Sequence, residues 1–482
     1  MTLRRKVSTG LFWEGGAALI GQGLSFVVSL LLARLLAPEY FGLISIATLA
    51  ISSLVFFQEL GFSAALVYRQ DDVEAAANTA HWTIIASSVV LYIIGFILAP
   101  LVARFFRSPE VTPILRVLAL TIVISSLSRV SYTLLFKDMA FKKKVLPELL
   151  ASLAGSVTSL LLALAGWKVW ALVSGELVNA SFATILVYLF YPWRPKLQFV
   201  RSLFREMFGY GKHIAASQIL IFGITNVDDM FVGRMLGQAA LGQYGLAYKI
   251  SNLPATNITR LVTRVTFPAF TLLQGDIARM RGAFFRVVRY VSLLSIPVAV
   301  VTVIFAHDFV YFVLNPSWAP AIVPMQILAI YGLVRSISSN MGTFFQAGGK
   351  PQWLTGIAAW RFVTMTVLLY PSIKWAGLVG VCVLSAAVAI VDFFIAAYLA
   401  DKILKARMVT YAQMLTPIFI YAILAGATGY LVQQWLLSIG LWDIATLVAA
   451  GLVVVLVYGA LTWWRDQEVR QGVRQVLAQI NR

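Results

Sequence analysis

Six or seven stretches of about 20 apolar residues lie in each half of the chain, and the second half repeats the first at a shift of about 200 residues. The clearest match sets Ala33-Arg34-Leu35-Leu36-Ala37, up to Gly42, against Gly233-Arg234-Met235-Leu236-Gly237, up to Gly242. Arg34/Arg234, Leu36/Leu236 and Gly42/Gly242 recur in register, with Gly23/Gly223 upstream and Ala47/Ala247 downstream. A duplicated array of apolar helices predicts a two-lobed transporter, with substrate at the repeat interface and the lobes rocking around it.

With 60% apolar residues, 12% charged residues and a mean hydropathy of +0.84, the chain is excluded from the ordinary soluble domains. Segments long enough to cross the hydrocarbon predict about fourteen transmembrane helices. They fall near 11–33, 41–66, 81–103, 111–136, 146–166, 169–191, 213–236, 244–270, 287–306, 322–346, 354–373, 376–400, 411–434 and 443–464.

The net charge of +18 follows the positive-inside pattern, so no nucleic-acid partner is expected. Most of the 38 Lys and Arg residues fall in segments that alternate between spans. These are Arg4-Arg5-Lys6, Lys137 with Lys142–Lys144, Arg194–Lys212, Arg260–Arg289, Lys402/Lys405/Arg407 and Arg465–Arg482. Both termini are therefore expected in the cytoplasm, with an uncleaved first helix. The single cysteine, Cys382, permits no internal disulfide and reads as a small packed hydrophobe.

Six helices per repeat is an even number, so both copies enter the membrane in the same orientation, related by an axis along its normal. A second match at a shift of about 210 agrees: Leu118-Ala119 and Ser125–Ser128 against Leu328-Ala329 and Arg335–Ser338, then Thr133 against Thr343. The expected organisation is an N-terminal six-helix lobe at 1–200, a C-terminal six-helix lobe at 201–405, and two additional helices with a basic tail at 406–482. The link 192–212 and the loop 274–290 read as interfacial amphipathic segments.

Several short motifs carry a family resemblance. Leu35-Leu36-Ala37-Pro38-Glu39-Tyr40-Phe41-Gly42 resembles the turn between the first two helices of polysaccharide exporters. Leu60-Gly61-Phe62 with Ala65-Leu66-Val67 resembles the end of their second helix. Asp228, Gly233-Arg234, Leu236-Gly237 and Leu241–Tyr244 resemble their helix 7 to 8 signature, and Thr266–Phe270 with Leu273–Asp276 the exit from helix 8. In order and spacing the chain resembles the polysaccharide-transport branch of the MOP superfamily, which includes colanic-acid and teichuronic-acid exporters. The resemblance covers about residues 5–400. It implies an all-α polytopic fold. The implied work is carrying an undecaprenyl-diphosphate-linked saccharide repeat unit across the bacterial inner membrane by alternating access. The implied surroundings are membrane lipids, a polysaccharide polymerase and export machinery. No family binding residues are carried over.

The residues nominate their own candidates. Ser45, Thr48, Ser52 and Glu59 share one stripe, as do Lys249, Asn252, Thr256, Thr259 and Thr263, and under the repeat shift Ser52 maps to Asn252. Glu14, Gln22, Ser25 and Ser29 mark the first helix; Gln218, Thr225 and Asp229 mark the seventh. Such residues line a wet cavity or let helices pack closely. Four basic residues fall inside spans: Arg129, Lys249, Arg335 and Arg361. Charges there face a cavity or a partner. Arg129 and Arg335 occupy equivalent faces of duplicated helices, and paired guanidinium groups suit a diphosphate. The bland alternative pairs these cations with intramembrane acids such as Glu176 or Asp392. Tyr248 beside Lys249 is a candidate for stacking on sugar rings. Glu59, Asp229 and Asp228 are the candidates for coupling to a proton or sodium gradient. His81, His213 and His307 read as residues at helix ends.

No phosphate-cradling loop, metal-ligand spacing or nucleophile elbow occurs, so neither catalysis nor a cofactor nor a metal is expected. The rival readings are a multidrug or cation antiporter of the same superfamily, disfavoured by the basic deep charges, and a polysaccharide polymerase or ligase, disfavoured by short outer loops.

Overall fold

The computed structural model describes residues 3–253, 255, 256, 262, 266, 269–273, 275–466 and 470, without the side chains of 3–15, 17–19, 213–217, 219 and 220. The side chains of Glu14 and His213, the stripe positions Thr259 and Thr263, and the tail beyond Asp466 other than Arg470 lie outside the described residues. Among the described residues nearly everything is helix and no strand occurs. That is the outcome lipid enforces, since a helix satisfies its own backbone hydrogen bonds.

The helices are α1 (Leu3–Leu35), α2 (Pro38–Glu59), α3 (Phe62–Tyr68), α4 (Val73–Phe106), α5 (Val111–Leu118), α6 (Leu120–Lys137), α7 (Phe141–Leu164), α8 (Val169–Phe190), α9 (Arg201–Leu236) and α10 (Gln238–Ser251). They continue as α11 (Ile277–Asp308), α12 (Ile322–Ala347), α13 (Pro351–Leu404), α14 (Met408–Ser438) and α15 (Asp443–Arg465). Among the described residues, 10 helical stretches are long and apolar enough to cross a membrane, which makes this a multi-pass membrane protein. The count of fourteen rests on the sequence. One of the ten, α13, runs for 54 residues, about 81 Å at 1.5 Å per residue, far more than one crossing needs. Its backbone leaves helical geometry at Ala376 and Gly377, where Gly377 takes φ +56. Two spans are thereby joined, at the place where the sequence pattern divides 354–373 from 376–400.

The chain divides into two compact units, Met1–Gly242 and Gln243–Arg482. In the first, α7 packs along α8, α1 against α7, α6 against α8 and α4, and α2 against α4, α5 and α9. Burial against lipid-like neighbours brings no hydrophobic gain, so close backbone approach must supply the attraction. Gly155 on α7 and Gly175 on α8 provide it: a Cβ on Gly155 would lie 2.6 Å from the Gly175 carbonyl oxygen. In the second unit α11 packs on α12 and α14, α12 on α13, and α14 on α15. Phe270, Phe284, Phe344 and Tyr411 form its aromatic core.

Three local details differ from the pattern read in the sequence. The span expected at 41–66 is broken, because Leu60 and Gly61 both adopt left-handed backbone and end α2 at Glu59. Gly61 is required there, since a Cβ would strike the backbone of Gly211. The interfacial link 192–212 is partly extended strap and partly the start of α9. Asn78 takes the Lys196 N–H on its carbonyl (3.0 Å) and donates to Gln198 (3.1 Å), while Trp82 donates to the Lys196 carbonyl (2.8 Å). The loop 274–290 becomes helix from Ile277, because the Asp276 carboxylate caps α11 by accepting from the Arg279 N–H (3.0 Å).

Candidate functional site

Helix α6 presents Thr121, Ser125, Ser128, Arg129 and Tyr132 on one stripe toward a cavity of about 870 Å³ within the first unit. Lys144, Glu148 and Ser152 of α7, spaced by four, and Glu176 and Asn179 of α8 complete its polar wall. Thr48 and Ile51 contribute from α2.

Arg129 makes an ion pair with Glu59. Glu59 is the last residue of α2, where the helix dipole disfavours a carboxylate; the arginine offsets that cost. The neighbouring Gln58 fixes the helix end, donating to the Ile122 carbonyl (3.0 Å), while its own carbonyl accepts from Ser87 (2.7 Å). Arg129 thus has a carboxylate on another element, although its own helix offers none nearby. Its side chain is 50% exposed, so it remains accessible from the cavity.

The second unit holds a different cation. Arg335 of α12 donates to the Tyr248 hydroxyl of α10 (2.5 Å) and to the Tyr331 hydroxyl one turn earlier on its own helix (3.1 Å). Its guanidinium carbon lies 5.8 Å from the Tyr331 ring centroid. Among the described residues these tyrosines are its partners, so the charge is solvated but not neutralised. Tyr244, Tyr248 and Tyr331 form a ladder of rings with centroids 6.0 and 5.8 Å apart. The helices meet closely because Gly332 leaves room for the Ser251 carbonyl, and Ser251 donates to the Met325 carbonyl (2.9 Å).

The remaining candidates are spread out. Arg361 and Asp392 pair with each other across the bend of α13, at 2.5 Å from Nε, with Asp392 only 3% exposed. Lys249 is exposed on α10, and Asn252, just beyond that helix, is buried with its side-chain oxygen unpartnered among the described residues. Gln22 is exposed on α1 and Ser52 half-buried on α2, as are the adjacent Asp228 and Asp229 on α9. His81 lies well inside α4, which starts earlier than the apolar pattern implies, with its ring edge-on to Trp82 and Trp193 (5.4 and 5.6 Å). Tyr331, Tyr132 and the Lys144/Glu148 pair were not singled out from the sequence. The i, i+4 spacing of Tyr331 to Arg335 and of Lys144 to Glu148 was the available signal.

Comparison with known proteins gives a consistent picture. The lipopolysaccharide biosynthesis protein WzxC of Escherichia coli (strain K12) is 26% identical over 388 residues, covering 79% of this chain and 78% of that one. The teichuronic acid biosynthesis protein TuaB of Bacillus subtilis (strain 168) is 24% identical, covering 77% of each. The succinoglycan biosynthesis transport protein ExoT of Rhizobium meliloti (strain 1021) is 26% identical, covering 67% of this chain and 65% of that one. Among solved structures, the lipid II flippase MurJ in an inward closed conformation superposes with a TM-score of 0.74 at 12% identity, covering 94% of this chain and 98% of that one. An inward-facing multidrug resistance MATE family transporter of the MOP superfamily gives 0.61 at 16% identity, covering 80% and 96%. The chain therefore shares the fold of these two transporters. With residues 31–323 matching the family described as polysaccharide biosynthesis protein, the chain belongs to that family.

Proposed function

We propose that the protein is a flippase that carries a saccharide repeat unit, linked through a diphosphate to a polyprenyl lipid, across the bacterial inner membrane for assembly of a surface polysaccharide. The observation that carries this reading is Arg335, a permanent cation inside a span whose partners are neutral tyrosine hydroxyls. A guanidinium so held keeps its full charge for an incoming anion, and its planar fork matches phosphate oxygens. The family membership and the names of the curated relatives support the same reading. The repeats 1–200 and 201–405 would be the halves that move in alternating access, with both termini in the cytoplasm. A membrane polymerase and export machinery would act downstream.

Arg335→Ala is expected to abolish surface polysaccharide, and Arg335→Lys to retain part of it, because lysine keeps the charge and loses the fork. The measurement is polysaccharide output in cells whose own exporter is deleted, with membrane levels of each variant matched. Normal output from the Ala variant would remove Arg335 from the transport path. Coupling to a proton or sodium gradient is assigned to the Asp228–Asp229 pair of α9. Asp229→Asn should abolish the dependence of transport on the gradient, and unchanged dependence excludes that pair.

A further inference from the structure

The cavity of the first unit differs in chemistry from the surroundings of Arg335. Its described lining comes entirely from residues 48–183. Two cations, Arg129 and Lys144, stand in the wall with two carboxylates, Glu148 and Glu176, and Arg129 is also paired to Glu59. The wall therefore offers a diphosphate no surplus positive charge.

Three of its hydroxyl groups are committed in one direction. Thr121 donates to the Leu118 carbonyl (2.7 Å), Ser128 to the Ser125 carbonyl (3.1 Å) and Tyr132 to the Ala183 carbonyl (3.2 Å). A hydroxyl that has given its proton to the backbone has only lone pairs left to offer. The two carboxylates and the Asn179 amide oxygen add acceptors, while Arg129, Lys144 and the Asn179 amide nitrogen supply donors. Its complement is an uncharged ligand whose groups both donate and accept, and about 870 Å³ is ample for more than one sugar ring.

We infer that this cavity is a saccharide subsite, which receives the sugar hydroxyls of the lipid-linked cargo. The inference rests on the transport reading above and adds to it the place that receives the sugar. Sugar hydroxyls both donate and accept, as a wall with both kinds of group requires, and the balanced charge makes the subsite indifferent to the anionic part of the cargo.

The test uses the full chain in lipid nanodiscs with three probes: undecaprenyl diphosphate, the same lipid bearing a glucose–galactose disaccharide, and that glycolipid with its hydroxyls O-methylated. The disaccharide lipid should bind at least about tenfold tighter than the bare lipid, and methylation should cancel the gain. Asn179→Leu should cancel it too, with the affinity for bare undecaprenyl diphosphate unchanged. Ser152→Leu, which narrows the cavity from α7, should act alike and decides the matter if the first variant is not monodisperse. Equal affinity for the bare and glycosylated lipids overturns the subsite. So does a retained gain after methylation, or an Asn179→Leu variant that weakens all three lipids equally. The transport reading is checked separately by Arg335→Ala, which should weaken the bare lipid. An Arg335→Ala protein that holds bare lipid normally contradicts that reading while the saccharide comparison still stands. Failure of the wild-type protein to bind any of the three contradicts both.

Discussion

Gly42 and Gly242 make reciprocal contacts: a side chain on Gly42 would run into the carbonyl of Gln238, and one on Gly242 into the carbonyl of Pro38. Pro38 and Gln238 are the first residues of α2 and α10, and both pairs are related by the repeat shift of about 200. Reciprocity of this kind is what a local two-fold relation produces. All four residues belong to the first unit. Gly42→Ala or Gly242→Ala should therefore cost about 1–3 kcal/mol through overpacking against backbone, read as a lowered melting midpoint in detergent. Gly223→Ala, which meets nothing within 4 Å, should be neutral or mildly stabilising. Equal melting of all three variants would contradict the reciprocal packing.

The Arg129–Glu59 pair predicts coupling between positions far apart in sequence. Arg129→Gln and Glu59→Gln should each destabilise, and the double variant by less than their sum. The coupling is set at about 0.5–1 kcal/mol, because the arginine is half exposed and screening discounts the attraction. A double-mutant cycle by chemical denaturation measures it, and strict additivity would show that the contact carries no energy.

Tyr248 and Tyr331 are positioning residues for Arg335. Tyr248→Phe and Tyr331→Phe preserve ring and charge and remove one acceptor each. Each should raise the apparent KM for transport about threefold or more, with little change in maximal rate, since the guanidinium loses its fixed orientation. A fall in maximal rate at constant KM points instead to a role in the conformational cycle.

The strap at 192–200 is tied down chiefly by Asn78, which is fully buried. Asn78→Leu leaves the Lys196 N–H and the Gln198 amide without their partner, a cost of about 1–3 kcal/mol. Limited proteolysis should then cut within the strap faster than in the parent protein. An unchanged cleavage pattern means that Trp82 and the Val200–Thr79 contact hold the segment alone.

Much of the fold was legible because membrane helices carry their signal locally. Apolar runs located α7 and α8 although only the turn at Lys168 separates them, and Lys374 marked the bend that divides α13. The Leu35–Gly42 turn and its copy exposed the repeat because only glycine tolerates those contacts. Pairings across helices were harder to read. Glu59 and Arg129 were each singled out, as a coupling acid and as an anion receptor, yet nothing local says that they meet. Asp392, one of the intramembrane acids that the sequence offers the deep cations, meets Arg361. Tyr331 is hard to read from sequence because an aromatic residue on an apolar helix looks like packing until a cation one turn away gives it a task.

The most direct measurement of the central claim is leaflet transfer by the purified protein. Proteoliposomes are loaded in one leaflet with a fluorescent undecaprenyl-diphosphate-linked oligosaccharide, and a membrane-impermeant lectin reports its arrival in the other. The account predicts lectin-accessible cargo above protein-free vesicles, at a rate reduced to background by Arg335→Ala. Transfer no faster than in protein-free vesicles, or unaffected by that substitution at equal reconstitution, contradicts it.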